Sequence, residues 1–356
     1  MKALILAGGR GTRLRPITFT LNKHLIPIAN KPMIFHAIEK VAKTGIKDIA
    51  ININPEEKDL PVVCGDGRKW GVKLTYIKQK GGARGIAHAV KMAEEFLKKE
   101  PFVLYLGDNI ILADIKEFID EFKKKKLNCM LTLARVPDPQ RFGVPVINGQ
   151  GRIIKVEEKP EKPKSEFAVT GIYIYDHSFF EVYEYIKPSA RGEYEISDIH
   201  SELIKRGYKV DWKEITGWWK DTGKPQDLLE GNQLMLEQIT RDIKGEIAKN
   251  ARIQGRVIIG SGTRILGQSF IRGPVIIGKN CRIVDSFIGS FTSIGNEVEV
   301  YGADIEHSIV FDYADIKTSK RIVDSLIGLN TDILDDGGTL PSGHKLVIGE
   351  SSYVEL

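Results

Sequence analysis

Leu4-Ile5-Leu6-Ala7-Gly8-Gly9-Arg10-Gly11-Thr12-Arg13-Leu14-Arg15 opens as an apolar run and breaks at once into glycines. An unbroken apolar stretch such as Ala3 to Leu6 suits a central strand of a sheet covered on both faces. Gly8, Gly9 and Gly11 lack the Cβ atoms that would keep backbone N–H groups away from an anion, and they tolerate positive φ. Arg13 and Arg15 follow, each a permanent cation whose planar fork matches phosphate oxygens. The stretch reads as a phosphate-binding loop at the end of a buried strand, although glycines alone leave an ordinary strand-to-helix turn open. Its G-G-x-G spacing is neither G-x-x-x-x-G-K-[ST] nor G-x-G-x-x-G.

Outward from this loop the pattern alternates. Pro32 opens a helical spacing (Met33, Ile34, Ala37, Ile38, Val41) that runs to Thr44-Gly45. Strands are expected at 48–54, 73–77 and 102–106, with a helix over 87–97 between the last two. This β-α-β-α-β order implies a mainly parallel, helix-covered sheet whose ligands gather at the carboxyl ends of the strands. The chain then turns strand-rich (129–135, 144–147, 152–157, 168–175), as if to extend a mixed sheet. Helical patterns follow at 178–186 and 195–205, a strand near 208–214, and a linking helix over about 225–242.

Beyond Gly245 the period changes. Aliphatic residues at Ile247, Ile253, Ile259, Ile265, Ile271, Ile277, Ile283, Ile288, Ile294, Val300, Ile305, Val310, Ile316, Ile322, Ile327 and Ile333 are spaced by six with occasional fives, a hexapeptide-type internal repeat. Stacked coils of a parallel β-helix follow, since one coil alone has no core. The expected fold class is therefore α/β, a Rossmann-like domain with a mixed, mainly parallel sheet over 1–242, then a β-helix over 243–340 and a C-terminal tail at 341–356.

At 356 residues the chain suffices for two cores, and its 42% hydrophobic and 28% charged content argue against disorder. A net charge of +5 without a dense basic and aromatic stripe suits polyanionic small molecules and excludes nucleic acid as the expected partner; Lys123 to Lys126 reads as the solvated end of a helix. Cys64, Cys129 and Cys281 form no disulfide framework or zinc spacing, which places the protein in a reducing compartment. No apolar run approaches a signal peptide or the roughly 20 residues of a membrane span. A cytoplasmic location is expected.

Two carboxylates stand out, Asp108 in Leu106-Gly107-Asp108-Asn109 and Asp221 in Trp218-Trp219-Lys220-Asp221-Thr222-Gly223. Each alone is an ordinary cap or turn residue. Beside a glycine loop and without a Cys/His cluster, the pair is what hard Mg²⁺ prefers, with triphosphate oxygens and water completing its octahedron. Lys23, close after Arg13, is a phosphate-contact candidate.

The motifs L-A-G-G-x-G-T-R-L, N-K-H-L-I-P, K-P-M-I, G-D-N, E-E-K-P, A-V-T-G-I-Y, A-R-G-E-Y-E-I-S-D-I and W-x-D-T-G run in order over residues 1 to about 242. This series resembles the sugar-1-phosphate nucleotidylyltransferases, and within them the glucose-1-phosphate thymidylyltransferases of the long form, whose hexapeptide tail is a left-handed β-helix of about 18 residues per coil. The resemblance implies that a phosphate oxygen of glucose 1-phosphate attacks the α-phosphorus of dTTP in line, giving dTDP-glucose and pyrophosphate with Mg²⁺. The attacking phosphate needs no general base, so catalysis reduces to holding and neutralising two polyanions.

Residue by residue, the resemblance puts catalysis on Arg13, Lys23, Asp108 and Asp221, with the last two as metal ligands. It puts the nucleotide on Gly8, Gly9, Gly11, Thr12, Arg13, Lys23, Gln79, Gly85 and Asp108. The sugar phosphate falls to Gly143, Glu158, Lys159, Val169, Thr170 and Trp219. An amide such as Gln79 can meet a pyrimidine edge with both donor and acceptor. His24 and His88 stand where short forms carry Gln, and the segment after Gln79 is one residue longer, departures that bear on base and deoxyribose selectivity. A homo-oligomer is expected. Three alternatives stay open: UTP or another sugar phosphate as substrate, an added acetyltransferase activity with His307 as base, and a non-catalytic assembly subunit.

Overall fold

The computed structural model describes residues 1–335 and 350–354. The opening apolar run forms the strand Lys2–Leu6, which lies between Asp48–Ile53 and Phe102–Leu106, parallel to both. Lys73–Lys78 extends the parallel set beyond Asp48–Ile53. Ala3, Leu4 and Ile5 are wholly buried, as expected of a strand covered on both faces. Phe167–Tyr175 then joins Phe102–Leu106 antiparallel, and it carries Cys129–Arg135 and, through Val169 opposite Gly143, the hairpin Gly143–Ile147 and Ile153–Glu158. With Val210–Glu214 on Cys129–Arg135, the result is a nine-stranded mixed sheet.

Met1–Arg10 and Met33–Asp221 make up this first compact unit. Its helices follow their apolar faces: Met33–Lys43 buries Met33, Ile34, Ala37, Ile38 and Val41. Pro32, expected in the first helical turn, instead ends a two-strand ribbon, paired with Pro27, and the helix begins one residue later. The helix expected over 87–97 is two short ones, Ile86–Lys91 and Glu94–Leu97, parted at Met92-Ala93. A small antiparallel pair, Asn109–Ile111 with Trp219–Asp221, completes the unit.

Gly11–Pro32 and Thr222–Leu356 form the second unit. Its helix runs over Pro225–Leu236, stopping short of the expected end. From Asp242 the described residues wind through three parallel sheets of six, six and five strands, a left-handed parallel β-helix. Registered residues Ile259, Ile277, Ile294, Val310 and Ile327 stack one above the next. The steps of 18, 17, 16 and 17 residues arise from the fives among the sixes. Ile265, Ile271, Ile283, Ile288, Ile305 and Ile316 are fully buried along the same axis.

Of the expected tail 341–356, and of the last residues assigned to the β-helix, 336–349 and 355–356 lie outside the described residues. Among the described residues no helix is long and apolar enough to cross a membrane.

Candidate functional site

Four parallel strands end at one edge of the sheet, and the next residues of each carry polar groups. Ala7 N–H donates to Asn52 O, Gly107 N–H to Leu6 O and Gln79 N–H to Ile53 O, so Gly8, Asp108 and Gln79 leave adjoining strands at the same end. Gly8 is hemmed by two amides: a Cβ there would come within 3.0 Å of Gln79 Oε1 and 3.1 Å of Asn52 Oδ1. Gln79 also donates from Nε2 to Gly82 O at 3.0 Å, which fixes its rotamer. Gly9 is exposed. Gly85 has φ +95°, and a Cβ would meet the Tyr194 backbone oxygen at 2.4 Å, so chain packing alone demands glycine there.

Asp108 and Asp221 are brought together by backbone pairing. Asp221 lies opposite Asn109, the neighbour of Asp108. Asn109, 1% exposed, joins the surrounding parts. Its Nδ2 donates to Asp108 Oδ1 at 3.0 Å, and its Oδ1 accepts from Trp219 Nε1 at 2.6 Å and from Gly171 N–H at 3.2 Å. Tyr105 donates its hydroxyl to Asn109 O. Buried Tyr173 has its pKa pushed up, first by burial and then by the charges of Glu158, Asp108 and Asp221 among others, so these three carboxylates act on one phenol.

Trp219 also meets Phe142 edge to face, centroids 5.2 Å apart. Phe142 O in turn accepts from Lys159 N–H at 2.9 Å. Glu158 accepts from Ser197 Oγ at 2.6 Å and lies 3.6 Å from the Arg191 guanidinium and 3.8 Å from Lys159 Nζ. Gly143 backs this carboxylate; a Cβ would stand 3.0 Å from Ser197 Oγ and 3.6 Å from Glu158 Oε2. Gly143, Glu158, Lys159 and Trp219 thus form one chain of contacts that ends on Asn109 and Asp108. Val169 and Thr170 lie buried in the sheet, where the Thr170 hydroxyl bonds that of Thr132.

Gly11, Thr12, Arg13 and Lys23 belong to the Gly11–Pro32 segment of the second unit. Gly11 is left-handed at φ +63°, and a Cβ there would strike Lys23 Cβ at 2.9 Å. Its carbonyl accepts from Leu14 N–H and from Thr18 Oγ1, closing a tight turn that leaves Thr12 and Arg13 exposed above half-buried Lys23. His24 is buried, its ring Nδ1 3.0 Å from Asn22 Oδ1, so its task is to hold this turn.

The Nucleotidyl transferase family profile matches residues 2–238. The chain belongs to the nucleotidyl transferase family. This transferase is 40% identical to a glucose-1-phosphate thymidylyltransferase of Streptomyces antibioticus over 357 residues, 100% of this chain and 99% of that one. It is 38% identical to the low-salt glycan biosynthesis nucleotidyltransferase Agl11 of Haloferax volcanii, over 100% of both chains. A crystallised Bacillus anthracis protein, provisionally assigned as a glucose-1-phosphate thymidylyltransferase and bound to sucrose, superposes with a TM-score of 0.62 at 45% identity, over 66% of this chain and 94% of that one.

Asn109, Ser197, Arg191 and Asn52 enter only with the structure. Asn109, Arg191 and Ser197 lie inside motifs quoted from the sequence, but nothing in their spacing marks them off. Asn52 sits in Ile51-Asn52-Ile53, a polar interruption of a buried strand, and both its side-chain polar atoms are buried without a hydrogen-bond partner among the described residues. That interruption was the readable signal.

Proposed function

We propose that this enzyme transfers the thymidylyl group of dTTP to glucose 1-phosphate, releasing pyrophosphate and forming dTDP-glucose. The observation that supports the reading is the pairing of Asp221 with Asn109, which brings its backbone beside the neighbour of Asp108 where parallel strands end. Among the described residues no group of three or more His, Cys, Asp or Glu side chains is placed to hold a metal, so the site does not cage an ion. Two half-buried carboxylates instead fit Mg²⁺, which keeps several waters and takes its other oxygens from substrate phosphates. When bound, the ion supplies charge neutralisation at the phosphates.

The chain's own residues do the rest. Gln79 offers a donor and an acceptor to the base beside Gly8. Arg13 and Lys23 counter the triphosphate. Glu158, oriented by Ser197, accepts sugar hydroxyls, and Lys159 meets the sugar's phosphate. Trp219 and Phe142 wall the sugar half, and Asn109 holds Asp108 at a fixed angle.

Residues 1–242 are read as the catalytic domain and the β-helix as scaffold. His307 supports no acetyl transfer: its Nδ1 is bonded to Asp324 and its Nε2 is buried, so no nitrogen is presented to an incoming amine. A cytoplasmic location and a homo-oligomer belong to the same reading. Cys64, Cys129 and Cys281 are all free and buried, and Val323, Leu329 and Leu334 leave apolar surface on the last described coils.

Pyrophosphate release over a matrix of nucleoside triphosphates and sugar 1-phosphates, with and without Mg²⁺, tests the proposal. Fastest release with dTTP, glucose 1-phosphate and Mg²⁺ is expected. A faster rate with another pair would reassign the substrates, and release without any sugar phosphate would end the reading.

A further inference from the structure

Asn232 is an odd residue for the middle of a helix. Asparagine forms helices poorly, and Gly231 before it is worse, so Gly231-Asn232 inside Pro225–Leu236 needs a tertiary reason. Asn232 is fully buried. Its Oδ1 accepts from Ala29 N–H at 2.8 Å and from Ser293 Oγ at 2.7 Å, and its Nδ2 donates to Phe291 O at 3.0 Å. Beside it, Asn30 Nδ2 donates to Ile294 O. One amide therefore ties the helix, the coil at Phe291–Ile294 and the tip at Ala29-Asn30.

That tip is strained. Ala29 and Asn30 both take positive φ, 49° and 58°, at the turn between Pro27–Ile28 and Lys31–Pro32. A left-handed backbone is unfavourable for alanine, so the turn persists where outside contacts fix it. Four residues before Pro27 stands Lys23, and Ile26 N–H donates to Lys23 O at 3.2 Å, so the placement of the tip is passed directly to the lysine. Gly11, seated on Lys23 Cβ and closed by Thr18, ties Arg13 to the same body.

We propose that the β-helix is the anchor of the cation-bearing segment Gly11–Pro32, with Asn232 as the positioning residue that sets Lys23 and Arg13. This rests on the proposed role of those two cations. Removing the amide frees the tip to relax, and Lys23 and Arg13 lose their fixed placement within the second unit.

Asn232→Ala is compared with Ile265→Ala, which deletes a buried side chain of the β-helix axis two coils before the one that holds Phe291–Ile294. Hydrogen exchange and steady-state kinetics are read on the full chain. Expected for Asn232→Ala are lost protection at the amides of Leu14–Ile28 and a KM for dTTP raised about tenfold, the worth of about one hydrogen bond. Ile265→Ala lowers Tm while leaving both unchanged. Ser293→Ala, which removes a single donor, is expected to move both in the same direction by less, and it serves if Asn232→Ala does not fold. Asn232→Ala, or in its place Ser293→Ala, that loses only thermal stability, with exchange over 14–28 and KM as in the parent, overturns the proposal. Because exchange is read without substrate, loosened amides together with an unchanged KM would fault the role given to the cations and leave the anchoring intact.

Discussion

Asp221 stands opposite Asn109 in an antiparallel pair, and Asn109 donates to Asp108 at 3.0 Å. Asp221 is thus held within a strand, and Asp108, in the turn at Gly107-Asp108, by a buried amide. Side chains so held cost little reorganisation when charge builds on substrate.

Asp108→Asn and Asp221→Asn keep shape and hydrogen-bonding capacity but remove the anionic charge. Each is expected to lower kcat by about 10²–10³, the range for losing one electrostatic group, with Tm within a few degrees of the parent. Pyrophosphate release and a thermal melt check this. A variant retaining more than about a tenth of parent kcat would remove that acid from the metal site.

Trp219→Phe deletes the indole donor to Asn109 Oδ1 while preserving the edge contact with Phe142 in part. The amide then keeps only Gly171 N–H on that oxygen and can swing, carrying Asp108 with it. The expected loss is about 1 kcal/mol, near fivefold in kcat/KM, the usual worth of one buried hydrogen bond. Gly171→Ala is harsher, because the new Cβ falls 2.5 Å from Asn109 Oδ1. About 1–3 kcal/mol of stability should be lost by overpacking, read by denaturant unfolding.

Ser197→Ala leaves Glu158 without its 2.6 Å donor but with Arg191 still nearby. KM for the sugar phosphate should rise about five- to tenfold while KM for the triphosphate holds, since the change touches only the sugar half. Equal shifts in both constants would mean that Glu158 does not face the sugar.

How far the sequence could be read depended on whether a feature was local. The Lys2–Leu6 strand was legible because burial on two faces leaves a local pattern, and the hexapeptide period survived its fives because every coil buries the same kind of aliphatic residue. The break at Met92-Ala93 left no mark, since Ala, Val and Met keep helical spacing through it. Asn109, Ser197 and Asn232 were invisible for another reason: an amide or hydroxyl acquires its role only when strands or coils distant in sequence close around it. His24 and His88 looked like departures in base recognition, yet both are buried, His88 against the Tyr194 ring with centroids 6.2 Å apart.

A last prediction concerns His200, which sits wholly inside the first unit with Nε2 2.6 Å from the Tyr175 hydroxyl and Nδ1 without a hydrogen-bond partner among the described residues. Burial pushes its pKa down to about 3, against about 6.5 in the unfolded chain. Between those values the unfolded state binds a proton that the folded state refuses, so stability must fall as pH drops from about 6.5 toward 3 and is independent of this group above that window. The slope from one such group is about 1.4 kcal/mol per pH unit. His200→Gln, which can keep a bond to Tyr175, removes the term. The unfolding free energy of the parent minus that of the variant should therefore fall on acidification from pH 7.5 to 4.5, whatever constant offset the substitution brings. Curves that stay parallel through that range would show that His200 takes up its proton without unfolding the core around it.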